Sequence, residues 1–173
     1  MNYSNLSNIK WNITIIINSG GELTNRQALS GQTGVFNALG TIILNGGNIS
    51  SIGGFNSQFR AFYLRGNVTA TGNLTSHIKQ QGNDSSSGVQ IGSSSINVTT
   101  GSQLIISTAL NDQPGAISSL TKSGGGNLVL TGANGFSGNL TITGGNVSLG
   151  DGGSTGSIPT GSNKLTTINA GSN

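Results

Sequence analysis

The sequence contains no cysteine, only two prolines and one histidine, and charged residues supply just 6% of its 173 residues. The absence of cysteine excludes disulfides, thiol catalysis and thiolate metal sites. The scarcity of charge disfavours a helical fold, because solvated helix faces normally carry Lys and Glu. With four acidic and seven spread basic residues, the net charge of +3 is not a basic cluster. Nucleic acid is therefore not an expected partner.

Small and short polar residues make up most of the chain. Gly, Ser, Asn and Thr together account for 95 of the 173 residues. These residue types form helices poorly. Ile, Leu and Val nevertheless recur along the whole sequence, which argues against charge-driven disorder. We therefore expect a mostly β structure with a thin aliphatic core.

A short unit, Gly-Asn followed by an aliphatic residue, recurs along the chain. Its six copies begin at Gly47, Gly66, Gly72, Gly126, Gly138 and Gly145. The interval from Gly47 to Gly66 equals that from Gly126 to Gly145, and the stretch between Gly66 and Gly126 holds three intervals of nearly the same length. Such a regular period is typical of solenoid coils, and the alternating runs that follow the units predict short strands. The sequence thus predicts an all-β fold, a right-handed parallel β-helix with about 20 residues per coil, as one segment over residues 1–173.

The alternation also predicts which residues face the core and how the ends behave. Leu128, Leu130, Leu140 and Ile142 should lie inside, because every second side chain of a strand points to the same face. Residues 1–30, with the bulky run around Trp11, are expected to form an amino-terminal cap or irregular start. The carboxyl end carries no comparable apolar run, so the isolated chain is expected to self-associate end to end.

Residues 120–149 carry a more specific pattern than the rest of the chain. The pattern is made by Lys122, Gly124, Gly126, Leu128, Leu130, Gly132, Asn134, Phe136, Gly138, Ile142 and Gly145. It resembles the autotransporter-associated β-strand repeat. The resemblance implies a parallel β-helix passenger of a type V secreted bacterial surface protein, in which the repeat promotes folding and export across the outer membrane. It further implies a location at the cell surface and a translocator barrel as partner, and the chain, which shows neither a signal peptide nor such a barrel, is expected to be a fragment.

One segment, residues 55–65, is rich in aromatic and basic side chains. It holds four of the seven Phe and Tyr residues together with two arginines. If its strand alternates, at least one aromatic ring faces outward beside an arginine, as in many glycan contacts. The candidate ligand contacts are Arg60, Phe62, Tyr63 and Arg65. The alternative interpretation is that the aromatic rings fill a thicker coil or lie under a loop.

The residues needed for enzyme chemistry are scarce. A Ser-His-Asp triad would have to use His77, and the nearby Gly82-Asn-Asp84-Ser matches no hydrolase motif. The four acidic residues are too few for stacked calcium sites. No catalytic residue, cofactor or metal site is therefore predicted. The sequence favours a non-enzymatic structural or adhesive passenger segment, with a carbohydrate-binding or hydrolytic passenger as the alternative and surface glycans as possible ligands.

Overall fold

The structure, a computed structural model, describes residues 13–25, 37–53, 60–81, 87–152, 156–158 and 166–169. All regular secondary structure in these residues is β-strand. The strands, in chain order, are β1 (Thr14–Asn18), β2 (Glu22–Thr24), β3 (Asn37–Leu39), β4 (Thr41–Asn45), β5 (Asn48–Ser51), β6 (Phe62–Leu64), β7 (Val68–Ala70), β8 (Thr75–Gln80), β9 (Val89–Ile91), β10 (Ser94–Val98), β11 (Gln103–Ile106), β12 (Leu110–Asp112), β13 (Leu120–Ser123), β14 (Asn127–Leu130), β15 (Leu140–Ile142), β16 (Asn146–Leu149) and β17 (Thr166–Ile168).

These strands build three parallel sheets along one rod. Sheet A has the order β1-β4-β7-β10-β13-β15-β17, sheet B the order β2-β5-β8-β11-β14-β16, and sheet C the order β3-β6-β9-β12. Each of the first four circuits of the chain thus adds one strand to each sheet. These circuits are coil 1 (β1–β3), coil 2 (β4–β6), coil 3 (β7–β9) and coil 4 (β10–β12). Coil 5 (β13 and β14) and coil 6 (β15 and β16) add strands to sheets A and B alone. The predicted all-β class and parallel β-solenoid are confirmed.

The core is a set of aliphatic columns that run along the rod. In sheet A, the register places Ile42, Val68, Ile96, Lys122 and Ile142 above one another. In sheet B, the corresponding inward column contains Ile49, Ile78, Ile106 and Leu130. The expected inward residues Leu128, Leu130, Leu140 and Ile142 are each at most 4% exposed. Their predicted burial is confirmed, because alternation along a short strand is a local property that does not depend on coil length.

The corner between sheets A and B carries a glycine in every coil. These glycines are Gly20, Gly46, Gly72, Gly101, Gly124 and Gly145. Their φ angles lie between 68° and 84°, a left-handed conformation that L-residues with a Cβ adopt at a cost. The chain can therefore turn sharply from one sheet into the next at the same place in each coil.

Most coils are longer than the period of the Gly-Asn units predicts. In sheet A the register advances from Ile42 to Val68 and then from Val68 to Ile96, so a coil contains about 26 residues or slightly more. In sheet A only the advance from Leu120 to Leu140 matches the predicted length, as do the advance from Asn127 to Asn146 in sheet B and that from Val89 to Leu110 in sheet C. The earlier coils are longer because they enter sheet C through connections of up to twelve residues, such as 25–36 between β2 and β3.

The Gly-Asn units gave a misleading period because they mark two different corners. Gly47 and Gly145 precede strands of sheet B, whereas Gly66 and Gly138 precede strands of sheet A. The interval from Gly47 to Gly66 therefore covers only part of a coil. The turn that leads into a strand favours the same residue types at both corners, so the Gly-Asn motif alone does not distinguish one corner from the other.

The amino-terminal segment that was expected to be a cap or irregular start contributes regular strands. Residues 14–18 and 22–24 form β1 and β2 of coil 1, and Ile17 is buried in the core. Ile16 points outward from sheet A and is 60% exposed. Trp11 and residues 26–30 lie outside the described residues, so the cap itself stays a prediction.

Candidate functional site

The candidate ligand contacts at residues 60–65 divide between the core and the surface. Phe62 and Leu64 point inward from β6 and are at most 2% exposed. Phe62 therefore fills the coil, as the alternative interpretation held, and its ring does not face a ligand. Phe55 and Phe59 lie outside the described residues.

The other three candidate ligand contacts, Arg60, Tyr63 and Arg65, lie on the outer face of coil 2 at sheet C. Tyr63 is half-buried and points outward, and Arg65 is exposed. The Tyr63 hydroxyl lies 3.0 Å from the point that a Cβ on Gly92 would occupy, and the Arg60 side chain lies similarly close to Gly88. Both side chains thus extend along the rod toward coil 3, across positions where glycine leaves room. Ligand binding by Arg60, Tyr63 and Arg65 stays a prediction.

The repeat segment holds a lysine inside the core. The Lys122 side chain is fully buried in the aliphatic column of sheet A. Its Nζ donates to the carbonyl oxygens of Ser123 (2.9 Å), Gly124 (2.8 Å) and Gly144 (2.9 Å). These three acceptors match the three N–H bonds of an ammonium group. Burial lowers the pKa of the Lys122 ammonium from its ordinary value of 10.5.

A buried asparagine ties three coils together at the opposite corner. The backbone N–H of Leu110, in coil 4, donates to Asn134 Oδ1 at 3.0 Å. Asn134 Nδ2 donates to the carbonyl oxygen of Gly132 in coil 5 (3.1 Å) and to that of Ser157 after coil 6 (2.7 Å). The side chain is only 7% exposed, and its bonds to Leu110 and Gly132 are buried, whereas the bond to Ser157 is partly buried. Asn134 replaces part of the ladder hydrogen bonding where sheet C is no longer continuous.

The other residues of the pattern also have structural roles. Phe136 is 1% exposed and fills coil 5 on the same side as Asn134. A Cβ on Gly132 would overlap the carbonyl group of Thr108 in the coil below, and one on Gly138 would overlap that of Ser118. Only glycine allows the backbones to approach this closely. The residues of this pattern therefore either fill the core, as Leu128, Leu130 and Phe136 do, or join coil 5 to its neighbours, as Lys122 and Asn134 do.

An acidic side chain supports the same coil from below. Asp112 Oδ1 accepts a hydrogen bond from the backbone N–H of Ser118, and Asp112 Oδ2 accepts one from that of Ser137, each at 2.9 Å. The Ser137 hydroxyl also donates to Oδ2. Both carboxylate oxygens of Asp112 are thus used to hold the connections that lead into coils 5 and 6.

Sequence reasoning missed a charged cluster on the outer face of sheet B. Lys79 Nζ lies 3.0 Å from Glu22 Oε1, and the Ser50 hydroxyl donates to the same oxygen. Lys79 belongs to coil 3, Glu22 to coil 1 and Ser50 to coil 2. Ser50 and Lys79 are register partners, and the Glu22 side chain reaches them from a position two residues before Thr24, the register partner of Ser50. The Ser50 hydroxyl and then Lys79 hold the pKa of the Glu22 carboxyl below its ordinary value of 4.5. The only signal is that Glu22, Ser50 and Lys79 are separated by nearly equal intervals, and the shorter period of the Gly-Asn units hides it.

The remaining candidates for chemistry are dispersed. His77 points outward from β8 between Asn48 and Ile105 of the adjacent coils, and Asp84 lies outside the described residues. Among the described residues, no three His, Asp or Glu side chains cluster in a way that could hold a metal ion. The same part of the chain contains no helix with the length and apolar character needed to span a bilayer.

Comparison of the chain with protein-family models, curated proteins and solved structures finds no match in any of the three. The resemblance of residues 120–149 to the autotransporter-associated repeat therefore stays a prediction.

Proposed function

We propose that this chain is a non-enzymatic structural or adhesive passenger segment of an autotransporter-like bacterial surface protein. In this proposal it lies at the cell surface, attached to an outer-membrane translocator barrel of its parent protein. Residues 120–149 promote its folding and export. The observation that supports this role best is the bonding of coil 5, where buried side chains at two corners bind backbone groups of neighbouring coils.

The physical reason lies in how a solenoid folds. The strands of each coil pair only with those of the coils next to it, so order begins at one stable coil and spreads from there. A coil whose side chains already reach the backbone of both neighbours provides partners for the next coil to dock on. When the carboxyl end emerges first, as the family resemblance implies, coil 5 would fold early and oppose backsliding through the barrel.

Two deletions of whole coils test this export role. In a fusion with a signal peptide and a translocator barrel, we expect removal of residues 120–139 to reduce surface display far more than removal of residues 68–95. Each deletion brings an equivalent strand into the vacated place, Leu140 for Leu120 or Ile96 for Val68, so inward residues stay inward. Equal losses of surface-exposed protein, measured by antibody labelling of intact cells, would leave coil 5 without a special role.

A second proposal, glycan binding, is favoured by the outward Arg60, Tyr63 and Arg65. Neighbouring cationic and aromatic side chains on an open face suit an acidic surface glycan. The triple variant Arg60→Ser/Tyr63→Ser/Arg65→Ser should lose binding on a glycan array, whereas Lys79→Ser, on sheet B, should retain it. Binding that survives the triple substitution would place the ligand elsewhere on the rod.

A further inference from the structure

A buried lysine is out of place in an aliphatic column. The neighbours of Lys122 in sheet A are Ile96 below and Ile142 above. Two residues later, where coils 2–4 place Leu44, Ala70 and Val98 inward, coil 5 has Gly124. The lysine extends to this corner and binds the carbonyl oxygens of Ser123 and Gly124 in its own coil, and that of Gly144 in coil 6.

The aliphatic pattern by itself specifies the register of coil 6 poorly. Strand β15 reads Leu140-Thr-Ile142 and lies on Leu120-Thr-Lys122 of β13. Because strand side chains repeat every two residues, a shift of β15 by two residues keeps every inward side chain inside. The other columns of the core are aliphatic as well, so the inward side chains themselves distinguish the registers only weakly, and the close approach of Gly138 to Ser118 adds a local constraint beside them.

The bond from Lys122 to Gly144 does distinguish the registers. A two-residue shift moves the Gly144 carbonyl by about 6.6 Å along the strand, out of reach of the ammonium. Gly144 lies beyond β15 at the corner where Gly145 has a φ of 68°, so a shift brings no equivalent carbonyl into its place without strain on a residue that has a Cβ. A buried charged group then loses one of its three acceptors, and a missing partner is the costly state for such a group. Asn134 does not replace this control, because its carboxyl-terminal partner Ser157 lies beyond β16 and its bonds do not act on β15 directly.

We propose that Lys122 is the register-determining residue of the carboxyl-terminal coils, fixing β15 and β16 on β13 and β14 through the carbonyl oxygen of Gly144. The residue specifies one alignment among several with equal hydrophobic patterns. Its contribution is therefore to the uniqueness of the fold, as a single buried polar side chain fixes the register of coiled coils. Replacing it with an aliphatic residue should leave the rod folded and mix its registers.

Engineered cysteine pairs on the outer face of sheet A read the register directly, since the chain has no cysteine of its own. Thr121 and Thr141 are Cα partners, so Thr121→Cys/Thr141→Cys reports the observed register. Thr121→Cys/Thr143→Cys and Thr121→Cys/Asn139→Cys report the two shifted registers, because their Cα atoms are about 8 Å apart in the observed one, beyond disulfide reach. Each pair is oxidised in the full chain with Lys122, with Lys122→Ile and with Lys79→Met as the control.

In the chain that keeps Lys122, and in the Lys79→Met control, we expect the two shifted cysteine pairs to give about a tenth or less of the disulfide yield of the Thr121→Cys/Thr141→Cys pair. With Lys122→Ile, which matches the column neighbours Ile96 and Ile142, a shifted pair should rise at least about fivefold. Unchanged yields in Lys122→Ile would overturn the proposal. Loss of the β circular dichroism signal in Lys122→Ile would overturn it too, since Lys122 would then serve stability and not register.

The bearing of this register on export rests on the proposed function, and a display measurement separates the two. Mixed registers in the isolated Lys122→Ile chain with undiminished surface display would leave the register role intact and contradict the role of coil 5 in export. Reduced display with a single register would contradict the role of Lys122 in register.

Discussion

Single residues on this rod act between coils more than within them. Lys122, Asn134 and Glu22 each contact groups that are more than twenty residues away in sequence. In a parallel solenoid such residues are neighbours because every coil lies directly on the previous one. The coil length therefore determines which polar side chains meet a partner on a neighbouring coil and so contribute to stability.

The Glu22 cluster makes the stability of the chain depend on pH in the acid range. The folded-state pKa of Glu22 lies below its ordinary value of 4.5, so between these two values the unfolded chain binds more protons. The stabilisation is complete above pH 4.5 and is lost as the pH falls through the folded-state pKa. The denaturant midpoint should thus fall between pH 6 and pH 3 by less in Glu22→Gln than in the wild type, using about these values to bracket the titration.

Lys79→Met provides an intermediate case for this measurement. The Ser50 hydroxyl lowers the pKa of Glu22 independently of Lys79, so the substitution should reduce the acid dependence without abolishing it. An acid dependence in Glu22→Gln equal to that of the wild type would assign the loss of stability to another carboxylate.

At the scale of strands and corners, local patterns were predicted well and long-range spacing was not. Burial of Leu128 and Leu130 followed from alternation, which three residues suffice to define. The coil length did not follow, because the connections from sheet B to sheet C shorten from twelve residues (25–36) to three (107–109) along the chain. No property of the core fixes these lengths, since loops tolerate insertion at small entropic cost. The glycines at the corner between sheets A and B are spaced by the true coil length, but glycine is too abundant in this sequence for their spacing to be recognised.

The candidate sites divide in the same way. Tyr63 and Phe62 were expected to face opposite sides, and they do. The bonds of Lys122 and Asn134 to other coils were beyond prediction, because they require knowledge of which carbonyl groups lie one coil away. The resemblance to a repeat family marked these two positions without giving their contacts.

The strand β14 offers a direct test of the core. Leu128 is fully buried, so Leu128→Ala should lower the free energy of unfolding by about 2 to 4 kcal/mol through lost burial and an unfilled cavity. Ile117 is 76% exposed in the connection before β13, and Ile117→Ala should change it by less than about 0.5 kcal/mol. Similar losses in a urea titration of the two variants would place Leu128 outside the core.

At the scale of the whole molecule, the described strands form a rod, and each sheet ends at a strand that pairs with a described strand on one side only. Strand β17 is the last of sheet A and β16 the last of sheet B among the described strands. Two large apolar side chains near these edges, Leu149 and Ile168, are 48% and 58% exposed. An exposed strand edge is a template for another strand. We therefore expect the isolated chain to associate end to end.

Sedimentation velocity over a range of protein concentrations measures this association. The average mass should rise with concentration in the wild type and rise less in Leu149→Lys/Ile168→Lys, because charge on an edge opposes pairing. The control is Ile117→Lys, which alters an even more exposed apolar side chain away from that edge. Monomeric behaviour of the wild type at every concentration would contradict the prediction.

The loss of sheet C after β12 has a consequence for conformational entropy. Coil 2 uses the length of chain from Ile42 to Val68 to advance the rod by one strand, whereas coil 5 uses only the shorter length from Leu120 to Leu140. Ordering each residue opposes folding by about 1–2 kcal/mol of backbone entropy. Among the described coils, measured along sheet A, coil 5 is thus the shortest that still encloses a filled core, with Leu128, Leu130 and Phe136 inside it. Where a polypeptide orders one ring at a time, the ring with the shortest contour meets the lowest entropic barrier.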